Sequence, residues 1–244
     1  MNITSIPKFV VNLERRPDRL EYIQKEMDYM GWEYELFKAV DLNSHRGCTL
    51  SHTEIIKIAK ERGYDSVMVI EDDCSFLPYS KNLINKIDTE SGDFEFGIIN
   101  LAPTLNRKVN RSEENQLFLD ITNLPPKLEH ERGVFATNMI IYHSSVYDDV
   151  LELEKPEKLG YYAIDDYIYQ FILPIKQSYS PILPIAPQMS SWSDVSQGQY
   201  NNFYTQTYNW NLYSPYKIPN EFLDYKYNQI TKQNNEHKEF KYEN

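Results

Sequence analysis

The sequence predicts an α/β fold wound on both faces of a sheet. Three observations carry this: strand and helix signals alternate through the first third of the chain, two apolar runs have the continuous character of strands buried on both faces, and 244 residues suit a single domain of this class. The two runs are residues 67–70 and residues 98–101, the latter through Ile98, Ile99 and Leu101.

The elements follow in order. Phe9, Val10, Val11 and Leu13 form a short apolar segment that suits a first parallel strand. Pro17 fits the first turn of a helix, Leu20, Ile23, Met27 and Met30 share one helical face, and Gly31 suits the terminating cap, which predicts a helix over residues 17–30. Tyr34, Leu36, Phe37 and Val40 suggest a second strand. The next helix is expected to begin at a capping box of Ser51 and Glu54 and to end before Gly63. Further along, residues 139–142 read as a strand, Ser145 and Asp148 as the capping box of a helix, and residues 166–171 as another helix. From about Ser196 the chain is rich in Tyr, Asn and Gln and poor in aliphatic residues, a composition suited to packing on a domain surface or to partial disorder. The expected division is residues 1–195 as the folded domain and residues 196–244 as an extension.

Charge narrows the function. With 36 acidic residues against 25 basic, the net charge of -11 argues against binding to nucleic acid through its phosphate backbone. The apolar run 9–11 is too short for a signal peptide or a membrane span, so a cytoplasmic protein is expected. Cys48 and Cys74 are too few for a disulfide framework and lack metal-site spacing, so both are expected to be reduced and at least partly buried.

Glu71, Asp72 and Asp73 directly follow the run 67–70, which places three carboxylates at the carboxyl end of a central strand, where open α/β sheets bind ligands. Adjacent carboxylates in a partly dehydrated place repel one another, and a hard divalent cation bridging them to a diphosphate relieves that repulsion. The absence of a nearby cysteine or histidine pair favours Mg²⁺ or Mn²⁺ over zinc. Residues 12–19, Asn-Leu-Glu-Arg-Arg-Pro-Asp-Arg, join the first strand to its helix and offer backbone N–H groups and guanidinium forks to an anionic ligand. They lack the glycines of a dinucleotide fold and the Gly-Lys-Ser/Thr of a P-loop. His52 follows Ser51, where its ring points either to the strand ends or to the helix surface. Asp165 and Asp166 open an amphipathic segment, a place that helix capping alone would explain.

Taken in order, Val11-Asn12-Leu13 with residues 15–19, then Gly47-Cys48-Thr49-Leu50-Ser51-His52, then Ile70-Glu71-Asp72-Asp73, resemble glycosyltransferase family 25, the lipooligosaccharide and procollagen galactosyltransferase group. The similarity continues through Asp165-Asp166 and Pro187-Gln188 to Ser193-Asp194-Val195, covering residues 7–195. It implies a GT-A-type, Rossmann-like mixed sheet, a UDP-sugar donor of galactose or glucose type and a Mn²⁺-type cation. Carried over by residue, Asn12, Leu13, Arg16 and Arg19 line the nucleotide site, with Ser51 and His52 in support. Asp73 becomes the preferred metal ligand, Glu71 faces ribose or metal, and Asp72 turns toward the fold. The segment Asn43-Ser44-His45-Arg46 lacks the acidic residue often found before that glycine, and the acceptor side is the least similar part.

Inversion, hypothesised on family grounds, needs a carboxylate to take the acceptor proton. Asp166 is the first candidate and Asp165 the second, while Asp194 reaches either the metal or an acceptor hydroxyl. Acceptors in view are a glycan, a lipid-linked glycan or a hydroxylysine-type hydroxyl, and the C-terminal extension would shape that site or a homo-oligomer contact. The rival readings are a catalytically silent nucleotide-sugar or glycan-binding domain, for which the 20 tyrosines offer stacking surfaces, and a metal-dependent phosphohydrolase.

Overall fold

The computed structural model describes residues 1–42, 44–122, 134–189, 191–193, 198–200 and 202–229. The chain runs β1 (Lys8–Asn12), α1 (Pro17–Met30), β2 (Glu35–Lys38), α2 (His45–Glu61), β3 (Ser66–Glu71), α3 (Ser80–Glu90) and β4 (Ile98–Asn100). Short strands β5 (Thr104–Leu105), β6 (Asn110–Arg111), β7 (Phe118–Asp120) and β8 (Val134–Phe135) lead to β9 (Met139–His143) and α4 (Tyr147–Leu151). Next come α5 (Ile164–Tyr167), which continues as a π-helical turn over Ile168–Ile172, then β10 (Ser178–Pro181), β11 (Ser191–Ser193), β12 (Gly198–Tyr200) and α6 (Asn202–Tyr213).

Eight strands form one mixed sheet in the order β2-β1-β3-β9-β4-β10-β7-β6. β1 pairs in parallel with both β2 and β3, and β10 in parallel with β4, whereas β9 lies antiparallel between β3 and β4. This is the Rossmann-like, GT-A-type α/β fold expected from the sequence. Alternation along β3 explains why the whole run is apolar. Val67 and Val69 join one core with Ile55, Ile56 and Ala59 of α2, while Met68 and Ile70 join the other with Ile23 and Met27 of α1 and Ile84 and Ile87 of α3. Each of the four is fully buried, which stabilises the fold by about 1.5–3 kcal/mol per side chain.

α1 has the predicted bounds, with Pro17 in its first turn and Gly31 in the left-handed region at φ 70°. The start of α2 corrects the sequence reading. Ser44 is the cap, accepting from the Arg46 N–H, and Ser51 lies inside the helix, donating to the Gly47 carbonyl at 2.8 Å and accepting from the Val40 N–H at 2.9 Å. Gly47 shows why the helix enters there. A Cβ at this position would sit 2.6 Å from the Val40 carbonyl and 2.9 Å from that of Leu42, so only glycine lets α2 approach the loop after β2. The box expected at Ser145 and Asp148 is also corrected: Ser145 lies in a 3₁₀ turn, Ser144–Val146, whose cap is His143.

Beyond β12, α6 packs against β5, with Phe203 and Trp210 buried. Residues 220–229 are helical, and Lys226 there forms a buried ion pair with Glu26 of α1. Cys48 and Cys74 are both free thiols, the first partly and the second fully buried. Among the described residues, no helix is long and apolar enough to cross a membrane.

Candidate functional site

The carboxyl ends of β1 and β3 and the first turns of α1 and α2 converge on the acidic triplet. Asn12, the last residue of β1, donates from Nδ2 to Asp72 Oδ2 at 2.7 Å and to the Arg16 carbonyl at 3.2 Å. One guanidinium nitrogen of Arg19, in the first turns of α1, bonds Asp72 Oδ1 at 2.9 Å and Asp73 Oδ2 at 3.2 Å. Gln188 adds a third donor, from Nε2 to Asp73 Oδ2 at 2.9 Å. Asp72 is thus turned into the fold, where two donors share its carboxylate.

Burial dominates the electrostatics. It pushes the Asp72 carboxyl up against the opposing pull of Arg19 and Asn12. For Asp73, burial and the neighbouring charges of Glu71 and Asp72 outweigh Arg19 and raise its pKa from 3.8 to about 7. The other oxygen of Asp73, Oδ1, is buried and has no hydrogen-bond partner among the described residues. A carboxylate oxygen in that position fits a hard cation, whose charge would replace the missing donor and restore the ionised form.

Glu71 faces elsewhere. Its Oε1 lies 3.4 Å from His52 Nε2, 3.4 Å from the Thr137 hydroxyl and 3.7 Å from Cys48 Sγ. Burial pushes this carboxyl up, but His52, Arg19 and Thr137 outweigh it and hold it below its ordinary value. His52 is fully buried, and its Nδ1 lies 2.9 Å from the hydroxyl of Tyr142 on β9.

Two cavities meet at this triplet. The smaller, of about 130 Å³, is lined by Leu13, Arg15, Arg19, Ser51, Glu71, Asp72 and Asp73, with Val40 and Leu42 at its side. The larger, of about 510 Å³, is lined by Asp165, Asp166, Phe135, Ala136, Thr137 and Tyr161. Cys48, Glu71, Gln188 and Asn202 line both. Asp165 is tied to the backbone, accepting from the Asp166 N–H at 2.9 Å and from the Ala136 N–H at 3.4 Å. Ala136, at φ 70°, is a non-glycine residue in the left-handed region, a strained conformation of the kind that clusters at functional sites.

Of the residues singled out from sequence, Leu13, Arg19, Ser51, Glu71, Asp72 and Asp73 line the smaller cavity, and Asp165 and Asp166 the larger one. Asn12 acts on Asp72 from beneath, and His52 stands behind Glu71. Arg16 forks onto Asp18, with bonds of 3.0 and 2.9 Å. Asp194 lies outside the described residues. Sequence reasoning passed over Cys48, Thr137, Gln188 and Asn202 as site residues. Cys48 and Gln188 carried a signal, since both stand in motifs that bear the family resemblance, whereas Thr137 and Asn202 carried none.

No family model matches the chain. A curated Drosophila melanogaster protein named Glycosyltransferase 25 family member is 31% identical over 100 residues, covering 29% of this chain and 16% of the relative. The chain thus spans under a fifth of that relative's length. Among solved structures, a glycosyltransferase involved in the glycosylation of the major capsid of PBCV-1 is 12% identical, with a TM-score of 0.42 over 72% of this chain and 80% of the other. A mannose-1-phosphate geranyltransferase from Thermus thermophilus is 10% identical, with a TM-score of 0.37 over 73% of this chain and 59% of the other. The ordered motifs and the curated relative agree: the chain is similar to glycosyltransferase family 25.

Proposed function

We propose that the chain is a metal-dependent, inverting glycosyltransferase that moves a galactose- or glucose-type sugar from a UDP-sugar to a hydroxyl of a glycan, a lipid-linked glycan or a hydroxylysine-type acceptor. The observation that supports this most is the meeting of two cavities at one acidic motif. The smaller cavity, with Leu13, Val40 and Leu42 beside Arg15 and Arg19, has the apolar wall and cationic rim that suit a nucleotide and its diphosphate. The larger, with two aspartates and the exposed ring of Tyr161, suits a polyhydroxylated acceptor.

In this reading Asp73 is the principal ligand of a Mn²⁺ or Mg²⁺ ion, with Glu71 and Asp194 as further candidates. The bound cation supplies charge neutralisation for the departing diphosphate. Asp73 offers it the buried oxygen Oδ1, and Gln188 and Arg19 hold the other oxygen in place. Asn12 and Arg19 fix Asp72, and Asp73 beside it lines the smaller cavity. Asp166, or Asp165 beside it, takes the acceptor proton from the larger cavity.

Release of UDP from UDP-sugars in the presence of Mn²⁺, and its loss with EDTA, tests this reading. Release that is unchanged by EDTA would remove the metal role of Asp73. A second reading has one observation in its favour. Arg19 already pairs with both Asp72 and Asp73, an arrangement that also suits a nucleotide-sugar-binding domain without turnover. Tight UDP binding with no UDP release from any UDP-sugar would decide for that reading.

A further inference from the structure

Beside the Asp73 position lies a second cluster whose donor atoms have a different chemistry. Cys48 Sγ, His52 Nε2 and Glu71 Oε1 all lie within 4.8 Å of one another. Cys48 and His52 are four apart on α2, so both side chains leave the same helical face, and β3 brings Glu71 to meet them.

From the geometry we propose that Cys48, His52 and Glu71 form a site for a zinc-class cation beside the hard-cation position at Asp73, with Glu71 committed to the sulfur and nitrogen donors. Zinc bonds of about 2.3 Å to sulfur, about 2.0–2.1 Å to nitrogen and about 2.0–2.2 Å to oxygen, set at tetrahedral angles, place sulfur and oxygen about 3.6 Å apart and nitrogen and oxygen about 3.4 Å apart. The corresponding separations are 3.7 Å from Cys48 Sγ to Glu71 Oε1 and 3.4 Å from His52 Nε2 to the same oxygen. Two edges of the tetrahedron therefore stand at the separations that zinc requires, and the third, between Cys48 Sγ and His52 Nε2, lies within 4.8 Å and closes on binding.

His52 supplies the second, independent sign. It is fully buried, and Nε2 has no hydrogen-bond partner among the described residues, although a carboxylate oxygen lies 3.4 Å away. A buried ring nitrogen left in this state, within reach of a thiol and a carboxylate, fits a cation. Outer contacts of the kind that orient metal ligands are also in place: Tyr142 hydroxyl on His52 Nδ1 at 2.9 Å and Thr137 hydroxyl on Glu71 Oε1 at 3.4 Å. Cys48 and Glu71 line both cavities, so the cation has a route in. On binding, the Cys48 thiol loses its proton to water, and any proton on His52 Nε2 leaves with it. The soft sulfur and nitrogen donors separate this site from the all-oxygen surroundings that Mg²⁺ and Mn²⁺ prefer.

The test uses the full chain, freed of metal, with one equivalent of Co²⁺ as the spectroscopic substitute for zinc. A thiolate-to-cobalt charge-transfer band with tetrahedral visible bands is expected in the unsubstituted protein and in Cys74→Ser. The band should be absent in Cys48→Ser and should disappear from the unsubstituted protein when one equivalent of Zn²⁺ displaces the cobalt. Because a variant can fail to fold, alkylation of Cys48 by iodoacetamide in the unsubstituted protein gives a second readout, expected to slow at least tenfold with stoichiometric Zn²⁺. Weak octahedral cobalt bands alone, a charge-transfer band that survives Cys48→Ser, or alkylation unaffected by Zn²⁺ would each overturn the proposal. None of these readouts needs sugar transfer, so their failure is separate from failure of the transferase reading.

Discussion

The phenol of Tyr142, in the centre of the sheet, lies 2.9 Å from Nδ1 of His52, and the ring of His52 in turn stands with Nε2 3.4 Å from Glu71. A strand residue on one side of the acidic motif thereby sets the orientation of a histidine on a helix, next to the carboxylate at the end of β3. Tyr142 is fully buried. Removing its hydroxyl leaves the imidazole nitrogen without a partner in a place that water does not reach. Tyr142→Phe should therefore lower stability by about 1–3 kcal/mol, the cost of an unsatisfied buried group, measured by urea denaturation. If the hydroxyl serves only packing, UDP binding measured calorimetrically will be unchanged, whereas a role in orienting Glu71 predicts weaker binding at equal fold.

The position of Asp73 makes stability depend on pH in a stated direction. Its folded pKa of about 7 stands above the ordinary 3.8, so the folded state binds the proton more tightly than the unfolded chain does. Its stabilising contribution is fully present below about pH 4 and is lost as pH rises through 7. A cation at Asp73 replaces that proton. Thermal unfolding at pH 5.5 and pH 8 should therefore show a larger upward shift from millimolar Mn²⁺ at pH 8. Asp73→Asn should flatten both the pH trend of the metal-free protein and the Mn²⁺ shift. Equal shifts at both pH values in the unsubstituted protein would contradict it.

What could be read from sequence follows from the range of the interactions involved. α1 was legible to its last residue because Pro17 and Gly31 act through backbone geometry within one turn. The placement of Glu71, Asp72 and Asp73 at a strand end was legible because the run before them is apolar on both faces. The start of α2 was not, since Ser51 and Glu54 imitate a capping box while the true entrance depends on Gly47 meeting the carbonyls of Val40 and Leu42. Nor was the direction of β9 legible, because an apolar strand reads alike whether it pairs parallel or antiparallel. In the site, the sharing of Arg19 between Asp72 and Asp73 and the bond from Gln188 to Asp73 span 53 to 115 positions. Residue type alone carries no record of such contacts.

Gly47 offers a test of that entrance. A methyl group there would press on two backbone carbonyls, at 2.6 and 2.9 Å, rather than on side chains free to move. Gly47→Ala should cost about 1–3 kcal/mol of stability, the range for overpacking a well-filled interior, as read by urea denaturation. Because Val40, Leu42 and Gly47 all line the smaller cavity, UDP affinity should fall along with stability. A variant as stable as the parent, with unchanged UDP binding, would show that the loop after β2 yields more easily than its backbone contacts imply.

Asp165 and Asp166 line the same cavity. The Asp165 carboxylate accepts two backbone N–H groups, from Asp166 and from the strained Ala136, and so has a structural duty in addition to any chemical one. An amide at position 165 keeps one acceptor oxygen but gives up the second to an NH₂ group that cannot accept. Asp165→Asn should therefore loosen the Ala136 turn and lower both turnover and stability. Asp166→Asn should leave the fold and UDP-sugar affinity intact. If Asp166 is the base, kcat falls by about 10²–10⁴ with KM for the donor nearly unchanged. Steady-state UDP release from both variants, beside their melting curves, separates the two roles. Loss of turnover at constant stability in Asp165→Asn alone would transfer the role of base to Asp165, and full activity in both variants would exclude the pair.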